Sequence, residues 1–178
     1  MTRLSRRGFL AALAAATPLA AVPRWAGATA TEPRELSFMN LHTGERLNVE
    51  YFSAGAYMPD ALAATNHLLR DFRTGDVGVI DPQLLDLLHR LAATTGTQRP
   101  FQIISGYRSP ATNQMLRSRS HGVASGSLHM QGQAIDIRLG DVPLDTLRDV
   151  ALAVRRGGVG YYPGSNFVHV DTGRVRAW

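Results

Sequence analysis

Three side chains in this sequence could act together on chemistry: His129, Asp136 and His169. The first two share the stretch Ser127-Leu128-His129-Met130-Gln131-Gly132-Gln133-Ala134-Ile135-Asp136, which sets an imidazole and a carboxylate seven positions apart. Gly132 between them permits a tight turn. Gln133–Leu139 then reads as a strand in which Ala134 and Asp136 share one face and Ile135 and Ile137 the other. A second strand, Phe167-Val168-His169-Val170-Asp171, carries His169 and Asp171 on the face opposite Val168 and Val170. Two imidazoles and one carboxylate can hold a zinc ion while leaving a fourth position open. The same residues could also form a buried His–Asp hydrogen-bonded pair tying a strand to a loop, and spacing alone leaves both readings open.

Other chemistries fit less well. Ser125 lies in Gly122-Val123-Ala124-Ser125-Gly126, which is not a nucleophile elbow. Gly158-Val159-Gly160 follows a helix and lacks the third glycine of a dinucleotide fingerprint. There is no phosphate-binding loop and no H-E-x-x-H helix. The 178-residue chain has no cysteine, which excludes thiolate ligands and disulfides and leaves any metal to His and carboxylate.

The elements that must position these residues can be read in order. Ser5-Arg6-Arg7-Gly8-Phe9-Leu10 is a twin-arginine pattern, followed by an Ala-rich run to Val22 and a small-x-small site at Ala26-Gly27-Ala28. Residues 1–28 read as an export signal and 29–178 as a single domain. The apolar run is short for a membrane span, so no stable membrane insertion is expected once the signal is cleaved. All 19 basic residues are Arg, and four of them but none of the 14 acids precede Ala28. The remaining fifteen against fourteen leave a net charge of +1, which removes the main support for a nucleic-acid partner.

Arg34–Leu41 and Arg46–Phe52 alternate around His42-Thr43-Gly44-Glu45 and predict a hairpin. Pro59–Arg73 and Pro82–Thr95 predict helices, the second capped by Asp81. Phe101–Ile104 predicts a strand ending at Ser105-Gly106-Tyr107-Arg108-Ser109-Pro110. A helix follows over Thr112–Arg119, then a small, polar, Gly-rich loop over 118–127 that could border a cleft. Leu144–Arg156 predicts a helix stopped by Gly157-Gly158. Val159–Tyr162 and Phe167–Val170 predict a closing hairpin through Pro163-Gly164-Ser165-Asn166. His42, His67 and His89 fall on the hairpin tip and the helices, where solvent-exposed or core-edge roles are expected.

Ser127-x-His129-x-x-Gly132-x-Ala134-x-Asp136 resembles the signature of the zinc peptidases that include D-Ala-D-Ala carboxypeptidases, phage endolysin peptidases and the hedgehog domain. Ser105-Gly106-Tyr107-Arg108 resembles their S-G-Y-R segment. The ending from Gly157 through Gly173, with the twin-arginine signal, is similar to the YcbK-like murein endopeptidase K branch. The resemblance implies an α+β fold, a small antiparallel sheet with helices on one side and a zinc cleft on the other. It implies Zn2+ held by His129, Asp136 and His169, with Arg108 facing the substrate carbonyl or carboxylate and Ser127 beside it. The implied activity is hydrolysis of peptidoglycan cross-links in the periplasm. Carboxypeptidase trimming of murein stems and a non-catalytic zinc-containing wall-binding module are the alternatives. Carboxypeptidases of this clan use a Glu three residues before the last ligand as general base, and that position here is Asn166. Asp171 is the expected substitute, either as the base or as an acid that orients a ligand. His121 is the second candidate for the base.

Overall fold

In a computed structural model that describes residues 32–119 and 123–178, the hairpin forms as the alternation predicts. The leader and His121 lie outside the described residues. Strands β1 (Arg34–Asn40) and β2 (Arg46–Ser53) pair antiparallel with Phe38 opposite Leu47. The Asn40 side chain closes their turn by accepting from the His42 and Thr43 N–H groups. A two-residue strand, β3 (Ala56–Tyr57), returns onto β2.

Helix α1 (Pro59–Leu68) ends five residues before the expected end at Arg73. The cause is Asp71. Its buried carboxylate accepts from the Arg73 and Ser109 N–H groups, and its carbonyl accepts from Gly75. Local side-chain capture of the backbone competes with helix continuation. Helix α2 (Pro82–Thr95) runs as predicted, from the Asp81 cap on the Gln83 N–H to Gly96 at φ 70°. Its Leu84, Leu85, Leu87, Leu88 and Leu91 are buried, each contributing roughly 1.5–3 kcal/mol from apolar area removed from water.

Then come β4 (Phe101–Ser105), α3 (Pro110–Arg119), a 3-10 turn at Leu128–Gln131, β5 (Ala134–Arg138), α4 (Leu144–Val154) and β6 (Gly158–Tyr162). A 3-10 turn at Pro163–Ser165 leads to β7 (Phe167–Asp171), and β8 (Arg176–Ala177) ends the chain. The strands form one sheet in the order β3-β2-β1-β4-β5-β7-β6-β8. Pairing is antiparallel except between β1 and β4 and between β6 and β8. The α+β architecture is as expected, and the sheet is larger because two-residue strands such as β3 and β8 show no period in sequence.

One face of the sheet presents Leu36, Phe38, Phe101, Ile103, Ile135, Ile137, Val168 and Val170 to a core completed by α1, α2 and α4. The side chains that alternate with these on β5 and β7 point the other way. Among the described residues no helix is long and apolar enough to cross a membrane.

Candidate metal centre

Asp136 and His169 are register partners on β5 and β7, as are Ala134 and Asp171. Opposite residues of an antiparallel pair project to the same face, so the pairing brings Asp136 and His169 side by side without help from the loops. His129 arrives from the 3-10 turn, which ends at Gly132 with φ 67°. The positive φ is one reason for glycine there. The other is the close approach of the Val79 carbonyl, which a Cβ would strike. The Asp81 N–H donates to the Gly132 carbonyl at 3.0 Å and anchors the turn to the start of α2.

Two hydrogen bonds set the imidazole tautomers. His129 Nδ1–H donates to the Gly106 carbonyl at 2.8 Å. His169 Nε2–H donates to Asp171 Oδ2 at 3.1 Å. Each ring then turns its other nitrogen toward Asp136. His169 Nδ1 lies 2.9 Å from Asp136 Oδ1, His129 Nε2 lies 3.2 Å from His169 Nδ1, and His129 Nε2 lies 3.3 Å from Asp136 Oδ1. Three lone-pair donors converging in this way call for a cation. Tetrahedral zinc with bonds of about 2.1 Å spaces its ligand atoms about 3.4 Å apart, close to the observed triangle. Among the described residues this is the only group of three metal-type ligands.

The electrostatics agree. Burial pushes the Asp136 carboxyl upward, but the two imidazoles outweigh it and hold the group well below the usual carboxylate range. Burial lowers His169, but Asp136 and Asp171 outweigh it and raise the imidazole. The pocket favours positive charge at its centre.

Asp171 does not face the cluster. It meets the Nε2 edge of His169, on the far side of the ring from Nδ1, and it is fully buried. Its oxygens also accept from the Gly158 N–H, the Gly173 N–H and both terminal nitrogens of Arg176. Burial raises this carboxyl, but these donors outweigh it and drive it well below its ordinary range. A group so placed is a poor proton acceptor for anything bound at the cluster. The space around it is also closed, since a Cβ on Gly158 would sit 2.5 Å from Asp171 Oδ2.

Arg108 and Ser127 line a cleft of about 530 Å3 that opens onto His129, Asp136 and His169. Tyr162, Phe167 and Trp178 form its aromatic side. Among the described residues the Arg108 Nε is buried without a hydrogen-bond partner, and Nη1 reaches Asn113 Oδ1 only at 3.4 Å. Burial lowers its pKa. An arginine with unspent donors in a cleft is equipped to receive an oxygen. Asn166 is exposed on the turn before β7 at φ 53°. His42, stacked 3.7 Å from Phe72, along with His67 and His89, takes part elsewhere. A larger cavity of about 640 Å3 lies beside Arg34, Asp86 and His89, but it gathers no ligand set, so chemistry and not size identifies the site. Sequence reasoning missed Arg176, Trp178 and the Gly106 carbonyl. Backbone acceptors and residues on a two-residue strand leave no pattern to find.

Comparison with known proteins is consistent with this geometry. The family model described as peptidoglycan L,D-endopeptidase MepK matches residues 28–178. Peptidoglycan L,D-endopeptidase MepK of Escherichia coli K12 is 48% identical over 176 residues, 98% of this chain and 97% of the relative. The same protein of Shigella flexneri matches equally. Probable peptidoglycan L,D-endopeptidase MepK of Haemophilus influenzae is 45% identical over 148 residues, 83% of this chain and 80% of its own.

Proposed function

The chain belongs to the peptidoglycan L,D-endopeptidase MepK family, and from that premise we propose that it is an exported, zinc-dependent enzyme that hydrolyses L,D peptide cross-links of peptidoglycan. The convergence of His129 Nε2, Asp136 Oδ1 and His169 Nδ1 within 3.3 Å carries the reading. The Arg6-Arg7 signal supports export by the twin-arginine route to the periplasm, where the substrate lies.

His129, Asp136 and His169 would hold the ion. When bound, zinc supplies a Lewis acid that polarises a carbonyl and lowers the pKa of water to near neutrality. The other steps belong to the protein. Asp171 keeps the proton of His169 on Nε2, so that Nδ1 faces the centre. Arg108 donates its free guanidinium N–H groups to the scissile carbonyl oxygen, or to a carboxylate of the stem peptide. Among the described residues no carboxylate or imidazole lines the cleft apart from the three ligands. Asp171, turned to the outer edge of His169, takes the orienting role, and His121 is the remaining candidate proton acceptor that the sequence offers. Proton transfer from the attacking water to the leaving amine completes hydrolysis.

The test is to digest purified sacculi with the enzyme, solubilise them with a muramidase and separate the products. L,D-cross-linked dimers should fall and monomers rise. Monomers shortened by one residue would instead make the protein a carboxypeptidase. An unchanged profile from a zinc-loaded protein would make it a binding module.

A further inference from the structure

Arg176 and Trp178 flank the metal centre on the His169 side of the cleft. Strand β8 lies parallel to β6, with Gly158 opposite Arg176 and Val159 opposite Ala177. Arg176 meets Asp171 as a fork, Nη2 to Oδ2 at 2.7 Å and Nη1 to Oδ1 at 3.1 Å. The same Oδ2 accepts from His169 Nε2. Any rotation that swings Oδ2 away from His169 therefore also breaks the fork. The guanidinium lies 4.8 Å from the Trp178 ring, and that indole lies 5.2 Å from the His169 ring. Trp178 is itself fixed at three points. Its N–H donates to the Val159 carbonyl, its carbonyl accepts from Tyr161, and Nε1–H donates to the Tyr162 hydroxyl at 2.6 Å. Gly160, the register partner of His169, leaves room for the indole, since a Cβ there would sit 2.8 Å from it.

We infer that Arg176 is a positioning residue for the metal site. Acting through Asp171, with Trp178 as a wall, it holds the His169 ring so that Nδ1 points at Asp136, and strand β8 thereby sets the affinity for metal. The physical basis is geometric: a bidentate guanidinium–carboxylate pair fixes the carboxylate in orientation as well as in position, and the same Oδ2 holds His169 Nε2. The inference rests on the zinc reading proposed above.

The experiment compares the full-length wild type with Arg176→Gln, Arg176→Lys, Asp171→Asn and the Asp171→Asn/Arg176→Gln double variant. Zinc affinity is measured by competition with a chromophoric chelator, and site geometry by the d–d absorption of the cobalt-substituted proteins. Partners that orient metal ligands typically change affinity 10–100-fold. Arg176→Gln is expected to lose about tenfold with an altered cobalt spectrum. Lys, which keeps the charge without the fork, should recover part of the loss. The double variant should bind no more weakly than Asp171→Asn alone. If Arg176→Gln does not fold, the affinity and spectrum of Arg176→Lys decide. A wild type that binds zinc together with an Arg176→Gln variant of equal affinity and unchanged spectrum overturns this inference alone, as does full additivity in the double variant. A wild type that binds no zinc overturns the metal reading and this inference with it.

Discussion

Asp86 on α2 and Asp171 on β7 occupy similar settings. Each meets an arginine, Arg34 of β1 at 2.6 Å and Arg176 of β8 at 2.7 Å. Each arginine also lies over an aromatic ring, Phe52 in one case and Trp178 in the other. Both carboxyls sit below their ordinary range although burial works against ionisation. What differs is the third partner. Asp86 accepts from the hydroxyls of Tyr51 and Tyr57, whose own pKa values are raised by burial and by the adjacent carboxylate, Tyr57 to about 12. Asp171 accepts from an imidazole whose other nitrogen belongs to the candidate metal cluster. The same ion pair therefore locks α2 to the hairpin in one place and aims a ligand in the other. An Asp–Arg pair does not by itself reveal function; the group it orients does.

The contrast can be tested from its strongest consequence downward. His129→Ala removes one of the three ligand atoms and should abolish both stoichiometric zinc, read by metal analysis after dialysis, and cross-link hydrolysis. Retention of either would remove the site from the comparison. Asp171→Asn should weaken zinc binding about 10–100-fold, whereas Asp86→Asn should leave zinc affinity at the wild-type value. Equal zinc loss in the two variants would erase the distinction between the clusters. Asp86→Asn should instead cost about 2 kcal/mol of stability in denaturant melts, because it weakens hydrogen bonds to a charged group.

That cost has a pH signature. The folded Asp86 carboxyl lies below its ordinary value of 3.8, so the unfolded chain binds the proton more readily. The contribution is complete above the unfolded value and is lost as pH falls through the folded one. The gap between wild type and Asp86→Asn should be constant above pH about 5 and close below 3.8. The smallest expected effect is optical. The chain has two tryptophans, Trp25 and Trp178, so in a Trp25→Phe background cobalt binding should quench the Trp178 emission. Unchanged emission on cobalt loading would separate the indole from the metal.

Much of this was legible before any coordinates. The Asp81 cap of α2 and its end at Thr95, the first hairpin, and the alternation of β5 and β7 are local patterns of caps and period, and they fold as read. The end of α1 was not legible, because Asp71 gives its carboxylate to Ser109, 38 residues away in sequence. Strands β3 and β8 were not legible because two residues carry no period. The orientation of Asp171 was not legible for a related reason. Alternation puts Asp171 on the face of His169, but it does not say which edge of the imidazole Asp171 meets.

The sequence by itself determined the ligand types, their shared face and the turn that Gly132 permits, since these follow from side-chain chemistry and a two-residue period. The tertiary structure alone decided which edges of His129 and His169 face Asp136, the placement of Asp171 at the far edge of the His169 ring, and the recruitment of Arg176 and Trp178. Those features depend on hydrogen bonds between strands whose register and approach are set by packing, and a linear pattern carries no direction for a lone pair.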